Sequence, residues 1–146
     1  MKRNLTYSIV LLLVCLTVAC SKKPDVVNYQ LTVPVGAFTG KFARFHLTHA
    51  TGKVDTIYAN SLLLNLDVSG NFAVTGDTSI HAGSFGKYGL GVGDDLIFTD
   101  KTLPPTGTPA KLHLNGDYQY TYNSGILEMV RNVSDSLSYQ YVFIHN

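Results

Sequence analysis

The run Tyr118-Gln119-Tyr120-Thr121-Tyr122-Asn123-Ser124-Gly125 decides the fold. Tyrosine recurs at every second position, polar residues stand between, and Asn123-Ser124-Gly125 ends the run. A repeat of two is the side-chain period of an extended strand, whose successive residues point to opposite faces. The next segment keeps it, with Leu127, Met129 and Arg131 alternating with Ile126, Glu128 and Val130. After a polar break from Asn132 to Ser136, the set Leu137, Tyr139, Tyr141 and Phe143 again steps by two. Short turns rich in Asn, Ser, Asp and Gly join the three segments. The stretch Leu112 to Ile144 therefore reads as a meander that needs the rest of the chain to cover its apolar face.

The preceding chain carries the same signal. Phe42 to Thr48 alternates, with Phe42, Arg44 and His46 on one face and Ala43, Phe45 and Leu47 on the other. Val54 to Ala59, Leu62 to Leu66, Asn71 to Thr75, Thr78 to Ala82, Phe85 to Val92 and Leu96 to Thr99 read as further short strands. Gly52, Asp67-Val68-Ser69-Gly70, Gly76-Asp77 and Asp94-Asp95 punctuate them. Gly supplies positive φ at turns and Asp bonds its own nearby backbone. Leu103 to Pro109 holds three prolines and reads as a rigid irregular loop. Gly83, Gly86, Gly89, Gly91 and Gly93 do not open a helix, as a phosphate loop would require, so they read as relief of crowding in a curved strand.

Apolar residues repeat at two and scarcely at three and four, which predicts an all-β domain. About eight to ten short strands with frequent turns suit a small antiparallel up-and-down barrel, with a β-sandwich as the alternative. Closing about eight strands leaves an interior just wide enough for side chains or for one small ligand. Closure also removes exposed sheet edges.

The first residues read as an address. Lys2 and Arg3 precede the apolar run Ile9 to Leu16, and Ala19 precedes Cys20. That order is basic start, apolar core, small residue before the cut. Thr17-Val18-Ala19-Cys20 resembles the lipobox of bacterial lipoproteins. The resemblance implies a signal peptide over 1–19, a lipidated, palmitate-bearing Cys20 and a polar tether over 20–35. It places the domain, over 36–146, in the bacterial cell envelope, held to the outer membrane by its lipid. Each buried methylene of such an anchor contributes ~0.8 kcal/mol. Cys15 would leave with the signal, so no disulfide and no thiol nucleophile would remain in the exported domain. Cleavage would remove two of 11 basic residues against 10 acidic ones, moving the formal charge from +1 to −1. A near-neutral domain has no electrostatic reason to bind nucleic acid.

Gly40-Lys41-Phe42, the successive hairpins and the tyrosine-rich closing meander resemble the small lipocalin-like lipoproteins of the Bacteroidetes. The chain has no Trp, and Phe42 would stand where the Trp of that family packs across the barrel floor. The resemblance implies binding of a small hydrophobic or amphipathic ligand inside the barrel. The alternative is a structural or protein-interaction domain of the envelope with a filled core.

Candidate ligand contacts are Phe42, Arg44, Tyr118, Tyr120, Tyr122, Tyr139 and Tyr141. The tyrosines offer apolar rings with hydroxyl handles, and could equally serve as cross-strand pairs. Arg44 is expected to point outward, because an unpaired charge inside a barrel is costly and Ala43-Phe45-Leu47 is the more apolar face. His46, His49, His81 and His113 contain no His-x-His pair and read as solvated or hydrogen-bonded surface residues, and His145 as solvent-facing. No cofactor motif is present. Ser84 lacks the Gly-x-Ser-x-Gly setting of a nucleophile, and Asp77, Asp94 and Asp95 read as turn residues before they read as a glycosidase pair. The sequence thus predicts a protein that is not an enzyme.

Overall fold

The computed structural model describes residues 32–146. The signal peptide expected over 1–19 and the lipidation expected at Cys20 fall outside the described residues, as does the expected tether up to residue 31. The strands are β1 (Gly36–Thr48), β2 (Lys53–Leu66), β3 (Asn71–Gly76), β4 (Ser84–Leu90), β5 (Asp95–Asp100), β6 (Gly116–Asn123), β7 (Ile126–Asn132) and β8 (Leu137–His145). Each pairs antiparallel with the next, and β8 returns to pair with β1. The result is an all-β, eight-stranded antiparallel closed barrel of lipocalin-like type, and not a sandwich.

The two-residue alternation is what closes it. In β6, Tyr118 and Tyr120 are buried while Asp117, Gln119 and Thr121 are exposed. Leu127 and Met129 of β7 and Tyr141 and Phe143 of β8 face the same interior. β5 contributes Leu96 and Phe98, β3 contributes Phe72 and Val74, and β2 contributes Leu62, Leu64 and Leu66.

Two segments differ from their sequence reading. Val54–Ala59 and Leu62–Leu66 are one strand, not two. Gly40 pairs with Leu62 and Phe42 with Ala59, so Lys41 faces both Asn60 and Ser61 across a bulge. Ser61 takes φ 57° there. The extra residue bends the strand and keeps both halves in the sheet. Thr78–Ala82 is not a strand of the barrel. It belongs to the β3–β4 connection, and His81 forms an isolated parallel bridge with Leu112 of the β5–β6 connection. Ala82 N–H donates to Leu112 O at 2.7 Å and Leu112 N–H to Ile80 O at 3.2 Å, so the two loops are tied together.

Antiparallel order places the β1–β2, β3–β4, β5–β6 and β7–β8 connections at one end, here called the rim. The tight β2–β3, β4–β5 and β6–β7 turns close the other end. There Tyr88 Oη donates to the carbonyls of Asp67 at 2.9 Å and Pro34 at 3.1 Å, which fastens buried Pro34 to the barrel just before β1.

The glycine run has more than one use. A methyl placed at Gly86 would meet the Thr99 carbonyl carbon at 2.9 Å and the Phe72 ring at 3.0 Å, so this inward position must be bare for β4 to approach β5. At Gly89 and Gly93 the same methyl would meet nothing within 4 Å, so crowding does not explain them. Overpacking at a tight site costs about 1–3 kcal/mol. Gly86→Ala is therefore expected to destabilise the barrel by that order in a denaturant titration, whereas Gly89→Ala should leave the midpoint nearly unchanged.

Candidate functional site

The barrel interior holds a continuous chain of rings. Phe72 meets Phe98 edge-on at 5.2 Å between centroids, and Phe98 meets Tyr118 at 5.9 Å. Tyr118 meets Tyr141 at 5.6 Å, and Tyr141 meets Phe42 at 4.8 Å. The chain crosses the barrel from β3 to β1. Edge-to-face and tilted contacts of this kind add about 0.5–1.5 kcal/mol each beyond burial.

His81 ends the chain at the rim. It is fully buried, not a surface histidine as its sequence setting suggests. Its ring lies 5.5 Å from Phe42 and 5.6 Å from Tyr141. Nδ1 is 2.7 Å from the Ala82 carbonyl and must donate to it, which leaves Nε2 to accept from Tyr141 Oη at 2.8 Å. Both ring nitrogens are thus used in the neutral form. Burial pushes the His81 pKa below its ordinary 6.5, and burial likewise pushes the Tyr141 hydroxyl well up.

A second buried polar group anchors the longest loop. The Asp100 carboxylate accepts from Thr102 N–H and Thr102 Oγ1, both at 2.6 Å, and lies 2.7 Å from His113 Nδ1. Asp100 N–H donates to Asn115 Oδ1 at 3.0 Å. The carboxylate is fully shielded and pins both ends of the β5–β6 connection to the last residue of β5.

The candidate residues named from sequence divide between core and rim. Phe42, Tyr118, Tyr120 and Tyr141 are core residues, with Tyr120 Oη buried and unpartnered among the described residues. Tyr122 is half-buried with its ring edge-on to Phe38 at 5.9 Å. Arg44 does not face outward. Phe42 goes into the core, and Arg44, two residues on, takes the same face and lines a cavity at the rim. Tyr139 lines it too, as do Arg131, Lys111, Ile57 and Leu112, around a volume of about 630 Å³.

The other constellations do not assemble. Asp77 sits at the rim, bonded to Ser79 N–H at 3.1 Å and Asn60 N–H at 3.2 Å, whereas Asp94 and Asp95 lie at the far end. The Ser79 hydroxyl and amide hold the Asp77 carboxyl below its usual range. His49 faces Asp135 at 3.3 Å in the open. Among the described residues no group of three His, Cys, Asp or Glu side chains could hold a metal. No family model, no curated protein and no solved structure matches this chain.

Two outcomes follow from the His81 contact. Tyr141→Phe removes the donor that the described residues offer to a buried ring nitrogen and is expected to cost about 1–3 kcal/mol by urea denaturation. The folded chain refuses a proton at His81 that the unfolded chain accepts below 6.5. The stabilisation is therefore complete above that pH and is lost as pH falls through the folded-state value. Urea midpoints measured from pH 7.5 down to 5 should decline, and His81→Gln should remove that residue's share of the slope.

Proposed function

We propose that this is a non-enzymatic module of the cell envelope, a structural or interaction domain whose barrel is filled by its own side chains. The ring chain from Phe72 to Phe42 carries this reading. An interior of eight strands accommodates either side chains or one ligand. Phe42, Phe98, Tyr118 and Tyr141, each at most 1 % exposed, occupy it. A hydrophobic ligand carried inside would have to displace those rings from close packing.

The outer surface supports the same reading. Ile126 pairs with Ile144, Ile144 with Thr39, and Thr39 with Leu63, so a row runs across β7, β8, β1 and β2 on the outside of the barrel. Ile126, Ile144 and Leu63 are all exposed. Ile126 and Ile144 adjoin directly, while Thr39 stands between Ile144 and Leu63, and adjoining exposed apolar side chains are the kind that meet partners. The lipobox-like Cys20 supports attachment to the outer membrane by a lipid, which would hold this surface close to other envelope components.

Native mass spectrometry of the protein after mild extraction tests both halves. The expected mass is that of the polypeptide from Cys20 onward plus its acyl chains, with no uncharged lipid adduct, and Cys20→Ser should lose the acyl mass. A stoichiometric uncharged, wholly apolar adduct whose removal lowers the melting temperature would favour the carrier reading instead.

A further inference from the structure

We infer that the rim cavity binds a small amphipathic anion, a carboxylate or phosphate head on a short apolar body. This deepens the filled-core reading by placing recognition above the core and not within it. The site begins with register. Arg44 pairs with Ile57 on one side and Tyr139 on the other, and Tyr139 pairs with Arg131. These residues lie two positions beyond the core residues Phe42, Tyr141 and Met129 on the same faces of β1, β8 and β7. Neighbouring strands are about 4.8 Å apart, so the two arginine backbones stand about 10 Å apart with a tyrosine between them. One anionic head can be reached by both guanidinium groups and by the phenol.

The cavity wall carries the cations Arg44, Arg131 and Lys111 and no carboxylate, with Asp55 beside Arg44 and Asp77 within electrostatic range of Lys111 just outside it. Asp55 is 3.9 Å from Arg44 Nη2 but is 62 % exposed, so the pair is weak and screened. Arg131 and Lys111 have no ion pair among the described residues. Arg44 Nε is buried and has no hydrogen-bond partner among the described residues, although native proteins rarely leave such a donor unmade. That nitrogen is itself closed to solvent, so an anion would meet the open part of the Arg44 side chain, which is 30 % exposed, with a charge-assisted bond.

Arg131 is held in place for this. One of its N–H groups donates to the Asn115 carbonyl, and its guanidinium carbon lies 5.9 Å from the Tyr118 ring centroid. It rests against Gly116, where a methyl would come within 2.7 Å of that carbon and where φ is +98°. Of five guanidinium donors most remain for a ligand. Ile57, Ile80 and Leu112 supply the apolar wall for the body of the molecule, and the volume lies within the range of small-ligand sites.

Titration calorimetry on the full protein in mild detergent tests this, with hexanoate and hexyl phosphate as probes and hexanol and hexylamine as controls. Saturable binding of at least one anion is expected, with none for the controls. The stronger of the two anions identifies the head group. Arg44→Gln and Arg131→Gln should each weaken it about tenfold or more, and added salt should weaken it further. Should Arg131→Gln fail to fold, thermal unfolding of the unmutated protein gives a second readout: hexanoate or hexyl phosphate should raise the midpoint and hexanol should not. Absence of saturable anion binding together with an unshifted midpoint overturns the inference and leaves the filled-core reading standing. Binding as strong for hexanol, or undiminished in both arginine variants, overturns it as well and points to a ligand inside the barrel, against the filled-core reading too.

Discussion

A closed sheet of eight strands has one interior, and every inward side chain competes for it. Here the contest is settled by aromatic rings. Phe42, Tyr118, Tyr141, Phe72 and Phe98 meet across the axis at ring distances, so strands on opposite sides of the barrel hold one another directly. The Tyr141–His81 hydrogen bond completes that packing, because it turns the inward end of a loop into part of the core. The rest follows: a loop that plugs the rim and a cavity above the plug.

Polar groups reinforce the arrangement only where they are fully bonded. His81 and Asp100 are buried, and each has its partners: a carbonyl and a phenol for one, two Thr102 donors and His113 for the other. Both lie on or beside the loops over the rim. The loops are thereby fixed by specific bonds, which apolar packing alone would not orient. Arg44 and Arg131 sit just outside this satisfied layer, on the wall of the rim cavity.

The strand pattern was legible because the barrel obeys a period of two nearly everywhere. The tyrosines of the closing meander point where alternation puts them. Face selection was harder. Ala43-Phe45-Leu47 is the more apolar set, yet Phe42 enters the core and draws Arg44 to the rim, since a terminal inward position can be charged without being buried. Ser61 was hidden because a bulge and a turn look alike in a polar dipeptide. His81 gave no local signal at all: its partner lies sixty residues away, and burial of a loop histidine depends on the loop it bridges. The rim cavity likewise unites β1, β7, β8 and two loops, and no short stretch of sequence contains it.

The seam between β1 and β8 has a bearing on how the chain is made. It joins Phe38 to His145 and His46 to Leu137, the earliest strand to the latest. Until β8 has been delivered, β1 keeps one edge of unpaired amides and carbonyls, and the core keeps no wall on that side. Contacts of such long sequence separation form late, since loop closure must precede the gain they bring. A chain threaded through a membrane from its amino end would therefore wait, with an open flank, for its final residues, and would become safe from stray pairing only at the moment of closure.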